Sequence, residues 1–196
     1  MTPERKKWLK SELTSLAIIL ALVTAARSSL ADHYYVPSES MEYTLMPGDR
    51  VFVDKMSYGL RIPLTKIDIF GARTPERGEI AVFDSPRDGL RLIKRIVAVG
   101  GDVVRVQDGQ LTINGQPLGD REAEHFGARV ALLNLDRGGG DDVDEVIPPG
   151  KVLAMGDYRG NSTDGRIFGL IDERELFGRA VAIYYRRGDG FVWKPL

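Results

Sequence analysis

A chain of 196 residues has room for one moderate domain with a real core, and its 27 basic and 28 acidic residues leave a formal net charge of −1, which gives no electrostatic case for a nucleic-acid partner. Cysteine is absent, which excludes disulfides, thiolate metal sites and a cysteine nucleophile, and with only two histidines, His33 and His125, no imidazole metal centre is expected. Twenty-two glycines and ten prolines point to many turns and to a β-rich body rather than a helical bundle.

The first element is apolar. Residues 13–26 carry no charge, and Arg5, Lys6, Lys7 and Lys10 precede them with Trp8 among these cations. Cations and an aromatic on this flank predict a cytoplasmic N-terminus and an exported body. Residues 1–12 are thus expected to be a cytoplasmic basic segment, 13–31 a single transmembrane anchor and 32–196 the exported β-domain. The uncharged run rises only about 21 Å as a helix, against a hydrocarbon core of about 30 Å. Residues 28–31 must therefore extend the helix while Arg27 snorkels to the outer interface. Two other readings stay open. Small residues at Ser29 and Ala31 after a basic region and a short apolar run also describe a signal peptide cut near Ala31. A buried core helix is the third, although the basic flank then has no purpose.

Beyond this segment the pattern becomes strand-like. Met46-Pro47-Gly48-Asp49 reads as a turn and 50–55 alternates as a strand. Residues 58–71, with Pro63, read as a loop. Arg77-Gly78-Glu79 turns into a strand at 80–83, and a long apolar run at 90–99 follows. Strands at 103–106 and 110–113 flank Asp108-Gly109, a strong hairpin signal, and Asn114-Gly115 supplies another turn. Residues 119–144 are highly charged and interrupted by Gly138-Gly139-Gly140, which predicts an insertion with one hairpin around 130–135. A strand at 151–155 leads into a glycine-rich stretch at 156–169, a helical turn is expected at 172–177, and a strand at 180–185 closes the sheet. Seven or more short strands with glycine turns predict a mainly β fold of antiparallel sheets, open-barrel-like.

Two short segments carry chemistry. Ser40 lies in Pro37-Ser38-Glu39-Ser40-Met41, and Lys94 lies among aliphatic residues in Leu92-Ile93-Lys94-Arg95-Ile96-Val97. Burial disfavours the charged ammonium, and a neutral amine can take a proton from a serine hydroxyl. Strand alternation puts Ile93 and Arg95 on one face and Lys94 on the other. An extended segment would aim the hydroxyls of Ser38 and Ser40 to one side. Taken singly, each residue has a plainer reading. Ser38 and Ser40 are ordinary loop serines, Lys94 an edge-strand lysine reaching water, Ser162 a turn residue, and Asp164 with Arg166 a surface ion pair. A Ser-His-Asp triad would require His33 or His125, both of which read as solvated. Asp141 and Asp142 read as solvated charge, and the loop from Gly156 lacks the lysine of a phosphate-binding loop.

A third segment, Gly156-Asp157-Tyr158-Arg159-Gly160-Asn161-Ser162-Thr163-Asp164-Gly165-Arg166, completes an ordered set with the other two. Together they resemble bacterial type I signal peptidase, with Pro47-Gly48-Asp49 and Arg77-Gly78-Glu79-Ile80 agreeing. The resemblance implies a membrane-bound Ser-Lys serine endopeptidase that cleaves exported preproteins after a small-x-small motif through an acyl-enzyme. It would need no metal or organic cofactor, and its partners would be signal peptides and membrane lipid. In that family Ser40 would be the nucleophile and Lys94 the general base. The Ser38 hydroxyl and the Ser40 N–H would form the oxyanion hole, Ser162 would bond and orient the lysine amine, and Asp164 with Arg166 would form a scaffold. Met41 and Ile93 would line the substrate pockets. The chain departs from the family pattern at Glu39 and Tyr43, where glycine and proline are usual, and at Tyr158, Gly160 and Gly165. The last two are expected to loosen the loop around Lys94. Two other functions fit: a dedicated maturation peptidase for a pilin or secretion-system subunit, and a non-catalytic exported β-domain that binds extended peptides.

Overall fold

The computed structural model describes residues 3–29, 31–59 and 73–196. Helix α1 (Pro3–Ser29) opens with proline at its first position, where the missing N–H has no partner to lose, and has no glycine or later proline to break it. Leu13, Leu16, Ile18, Ile19, Leu20 and Val23 are all exposed. Residues 10–20 are all exposed, so over this stretch the helix is bare around its circumference, which overturns the core-helix reading. Among the described residues no helix is long and apolar enough to cross a membrane. The transmembrane span expected over 13–31 is thus unsupported. Lys10, Glu12 and Arg27 bound its uncharged run, Thr14, Ser15 and Thr24 dilute it, and residue 31 already belongs to a strand. The loop expected around Pro63 falls at 60–72, outside the described residues.

The strands are β1 (Ala31–Tyr35), β2 (Arg50–Asp54), β3 (Ile80–Asp84), β4 (Arg91–Val99), β5 (Val103–Gln107), β6 (Gln110–Ile113), β7 (Gln116–Pro117), β8 (Ala123–Phe126), β9 (Arg129–Leu132), β10 (Val143–Val146), β11 (Lys151–Met155), β12 (Ile171–Asp172), β13 (Leu176–Arg186) and β14 (Gly190–Pro195). A short helix α2 (Gly165–Phe168) follows the glycine-rich loop, capped by the Asp164 carboxylate. The large sheet runs β1-β2-β13-β3-β4-β11-β12, antiparallel throughout, with β14 beside β13; β10-β5-β6-β7 form a second sheet and β8-β9 a hairpin. The fold is therefore mainly antiparallel β, as the alternating runs predict. It is not closed into a barrel, because β1 and β12 remain as edges of the large sheet.

Alternation builds three adjoining cores. Ile80 and Val82 of β3 face Val51, Val53, Met41 and Leu45, while Ala81 and Phe83 face Ile96, Ala154, Ile171 and Leu176. The second sheet packs Val104, Val106, Leu111 and Ile113 against Val97, Ala98, Leu153 and Met155. The Asp108-Gly109 turn forms as expected, with both residues at positive φ (48° and 78°), the mirror-image turn that suits strand twist. The hairpin expected at 130–135 lies earlier, at β8-β9, turning through Gly127. The turn expected at 172–177 is a 3₁₀ helix (Glu173–Glu175), and β13 already begins at Leu176.

Candidate active site

The segment between Tyr35 and Arg50 is locked before any catalytic group is placed. Val36 N–H donates to Asp49 O at 2.9 Å, and Gly48 N–H donates back to Val36 O at 2.9 Å. Arg186 donates to both Asp49 carboxylate oxygens, at 3.0 and 2.6 Å. Met41 and Leu45 plug the core beneath. Turns at 39–45 replace the extended run that the sequence suggests, yet the two hydroxyls still meet: Ser38 Oγ and Ser40 Oγ are 3.3 Å apart.

Lys94 arrives from β4, opposite the small Ala81 of β3. It is 3% exposed, and its Nζ donates to Ser40 Oγ at 2.5 Å. Burial pulls its pKa from 10.5 to about 8, outweighing the negative charges of Asp164 and Asp157, which favour the ammonium. An amine so placed is neutral in a large fraction of molecules at mildly alkaline pH. In that state it can accept the serine proton across the existing contact. The edge-lysine reading is thereby excluded, since this amine is turned away from water.

Two buried ion-pair systems hold the pieces together. Arg95 donates Nε to Asp157 Oδ1 (2.9 Å) and Nη2 to Asp157 Oδ2 (2.7 Å), with Nη1 to Gly78 O (2.8 Å) and Nη2 to Thr44 Oγ1 (3.0 Å). Thr44 donates to Asp157 at 2.5 Å. The strand carrying Lys94, the glycine-rich segment and the turn just after Ser40 thus converge on one buried carboxylate. Asp164 and Arg166 pair bidentately at 2.9 and 2.8 Å, and Asp164 also accepts from Gly156 N–H at 2.9 Å. Burial opposes ionisation of Asp164, but Arg166, with help from the Gly156 N–H and the Ser162 hydroxyl, holds its carboxyl below the usual range. This pair is buried, not the surface pair of the plainer reading. The Ser162 hydroxyl is buried near Asp164 and makes no hydrogen bond of standard geometry among the described residues. The bond expected from it to the lysine amine is therefore not formed.

Gly156 brings the third block against Ser40. A Cβ here would lie 2.3 Å from Ser162 Oγ and 2.4 Å from Ser40 O, both impossible contacts. Tyr158 N–H donates to the same Ser40 carbonyl at 3.2 Å. Gly156→Ala is therefore expected to displace Ser40 and reduce kcat by at least about tenfold, since misplacement by about 1 Å can cost about a hundredfold; a steady-state assay of the variant checks this. Gly160 does not loosen the loop, as expected from sequence, but tightens it: a Cβ there would meet Arg137 O at 2.2 Å. Gly165 is likewise pressed against Leu153 and Ala154.

Sequence reasoning missed Arg95, Asp157 and Thr44 as site-building residues, although a second charge beside Lys94 in an apolar strand was a usable signal. It also missed Glu124 and Arg159. These form a fully buried bidentate pair, Nη1–Oε1 2.8 Å and Nη2–Oε2 2.7 Å, between β8 and the glycine-rich loop. His33 and His125 are exposed, and neither takes part in this constellation. Among the described residues no group of three or more metal-binding side chains forms a site.

Ser40 and Lys94 line a groove of about 370 Å³ together with Tyr34, Ser38, Met41, Leu92 and Ile93. Ile93 and the largely buried Met41 are both among its lining residues. One wall is strand edge. Residues 91–94 pair with β3 on one side, while β11 pairs only with 95–99 on the other.

Comparison with known proteins agrees with this arrangement. The family described as "Signal peptidase, peptidase S26" matches residues 5–185. The probable signal peptidase I-2 of Synechocystis sp. is 33% identical over 192 residues, covering 94% of this chain and 76% of the relative. The signal peptidase I of Pseudomonas fluorescens is 31% identical over 195 residues, covering 85% and 69%. A second Synechocystis relative, probable signal peptidase I-1, is 31% identical over 183 residues, covering 93% and 86%. Because the family match runs through nearly the whole chain, from α1 to β13, and takes in all three convergent blocks, this protein belongs to the signal peptidase family, peptidase S26.

Proposed function

We propose that the chain is a serine endopeptidase that removes signal peptides from exported preproteins, with Ser40 as nucleophile and Lys94 as general base. The observation that carries this is the contact of a buried, pKa-depressed amine with a serine hydroxyl on the floor of a groove. An extended preprotein segment adds to the open edge at 91–94, and backbone hydrogen bonds give affinity that is indifferent to side chains. Met41 and Ile93 narrow the groove so that small residues fit at positions −1 and −3. Neutral Lys94 takes the Ser40 proton as Oγ bonds to the scissile carbonyl carbon. The Ser38 hydroxyl and the Ser40 N–H stabilise the oxyanion as it develops. The lysine then gives its proton to the leaving amine and the C–N bond breaks, leaving an acyl-enzyme on Ser40. Water, deprotonated by the same amine, attacks the ester, and the proton returns to Ser40 as the signal peptide leaves. Ser162, Asp164 and Arg166 act behind Lys94, by holding the loop that covers it.

In this reading residues 1–12 stay in the cytoplasm, the apolar part of α1 anchors the chain in lipid, and 32–196 act outside. The support is a bare apolar helix behind a cluster of cations. Family membership disfavours a non-catalytic peptide-binding domain and a peptidase dedicated to one substrate.

Ser40→Ala is expected to abolish preprotein cleavage in detergent while the variant keeps its unfolding transition. N-terminal sequencing of products and labelling of Ser40 by an acylating inhibitor check the same point in the wild type. Substantial cleavage by Ser40→Ala ends this assignment.

A further inference from the structure

Charge in the groove is unevenly compensated. Among its described lining residues, only Glu39, Arg91 and Lys94 carry acidic or basic side chains. Arg91 is engaged: it pairs with Asp84 at 2.5 Å, donates to Tyr34 Oη at 3.0 Å and stacks 3.9 Å from the Phe177 ring centre. Lys94 is buried against Ser40. Glu39 is different. It is exposed, and its one side-chain partner among the described residues is an amide: Asn161 Nδ2 donates to Glu39 Oε2 at 3.3 Å. Arg137 fixes that amide by donating to Asn161 Oδ1 at 3.2 Å, which turns the NH₂ end toward Glu39. Arg137 therefore helps hold the carboxylate in place without pairing with it.

The position of this carboxylate matters as much as its freedom. Glu39 separates the two serines, so its Cα is about 3.8 Å from that of Ser40. Glu39 lines the same groove as Ser40 and Lys94, so a peptide seated there runs past its side chain, and an exposed charge is felt over about 8 Å at physiological ionic strength.

We propose that Glu39 makes this peptidase select preproteins carrying a lysine or arginine within two residues of the scissile bond. The proposal rests on the Ser40–Lys94 reading above and adds to it a charge preference set by this chain's own groove. Small pockets choose by size at −1 and −3; Glu39 chooses by charge at a neighbouring position whose side chain points to the rim.

The test uses the full chain in non-ionic detergent at alkaline pH. Its substrates are matched signal peptides carrying Lys, Gln or Glu at position −2, +1 or +2. At one of these positions the Lys peptide is expected to exceed the Glu peptide in kcat/KM by about two- to fivefold at low salt, the range of an exposed ion pair. The ratio should fall toward one at high salt and in Glu39→Gln, and invert in Glu39→Lys. A wild-type ratio near one at all three positions, or a ratio unchanged by Glu39→Gln, overturns the proposal while leaving the dyad intact. Failure of the wild type to cleave any of the peptides overturns the peptidase reading and this one with it.

Discussion

Replacing Lys94 with methionine is expected to abolish cleavage and, at neutral pH, to make the protein more stable. The amine is 3% exposed, and its pKa falls from 10.5 to about 8. At about 1.4 kcal/mol per unit, its charged form costs the native state about 3 kcal/mol. The sign follows from proton counting. Between pH 8 and 10.5 the unfolded chain binds more protons at this site than the native one, so stability rises with pH across that window. The burden is complete below pH 8 and absent above 10.5. Methionine fills similar volume and removes it, at the loss of the bond to Ser40, worth about 1 kcal/mol. A net gain of about 2 kcal/mol should raise Tm at pH 7 by roughly 4–8 °C for a chain of this size. Calorimetry at pH 7 and near pH 10.5 checks this, because the gain must vanish at the higher pH. In the wild type, kcat/KM should climb with pH through a limb near 8 and then level off, since only the neutral amine can accept the Ser40 proton. A variant less stable than the wild type at pH 7 would show that the amine imposes no burden.

Glu124→Ala is expected to destabilise the fold by about 3–5 kcal/mol, the usual consequence of leaving one partner of a buried pair without the other. Arg159 is 1% exposed, and its guanidinium gathers three segments. It bonds Glu124 of β8 twice, Gly109 O of the β5–β6 turn at 3.0 Å, and Gly156 O beside Ser40 at 3.0 Å. Removing the carboxylate strands a cation in the core next to the loop that contacts Ser40. Total stabilities of small proteins are about 5–15 kcal/mol, so this one change takes a large share. Chemical denaturation of Glu124→Ala measures the loss. The double variant Glu124→Leu with Arg159→Met should recover most of it, because buried ion pairs replaced by apolar residues of similar volume are often neutral or better. A single-variant loss under about 1 kcal/mol would mean that the pair is not closed to solvent as described.

What could be read before folding was local. Alternation disclosed the strands read at 50–55, 103–106 and 110–113, short apolar runs those at 80–83 and 151–155, and Asp108-Gly109 disclosed its own turn, because a turn is decided by the residues in it. Ser40 and Lys94 were legible for the same reason: each sits in a motif whose neighbours declare it. Glu124 was not. It lies in a stretch rich in charge, and its burial depends on Arg159, 35 positions later; no window on either segment contains both. β1 (Ala-Asp-His-Tyr-Tyr) and β14 (Gly-Phe-Val-Trp-Lys-Pro) escaped as well. Both lie at exposed margins of the large sheet, where burial imposes little alternation on the sequence. Ser162 shows the opposite failure: its motif could be read, but its buried hydroxyl makes no hydrogen bond to the amine among the described residues.

The eleven residues of β13 meet β2 along one flank and β3 then β14 along the other. Both neighbours from the first half of the chain, β2 and β3, have been synthesised long before this strand exists. Until then the flanks that await it are unsatisfied, and no nucleus built from β2 and β3 alone can close the central sheet. The central sheet therefore closes only on arrival of residues 176–186, and a chain halted upstream of them leaves β2 and β3 each with an unpaired flank.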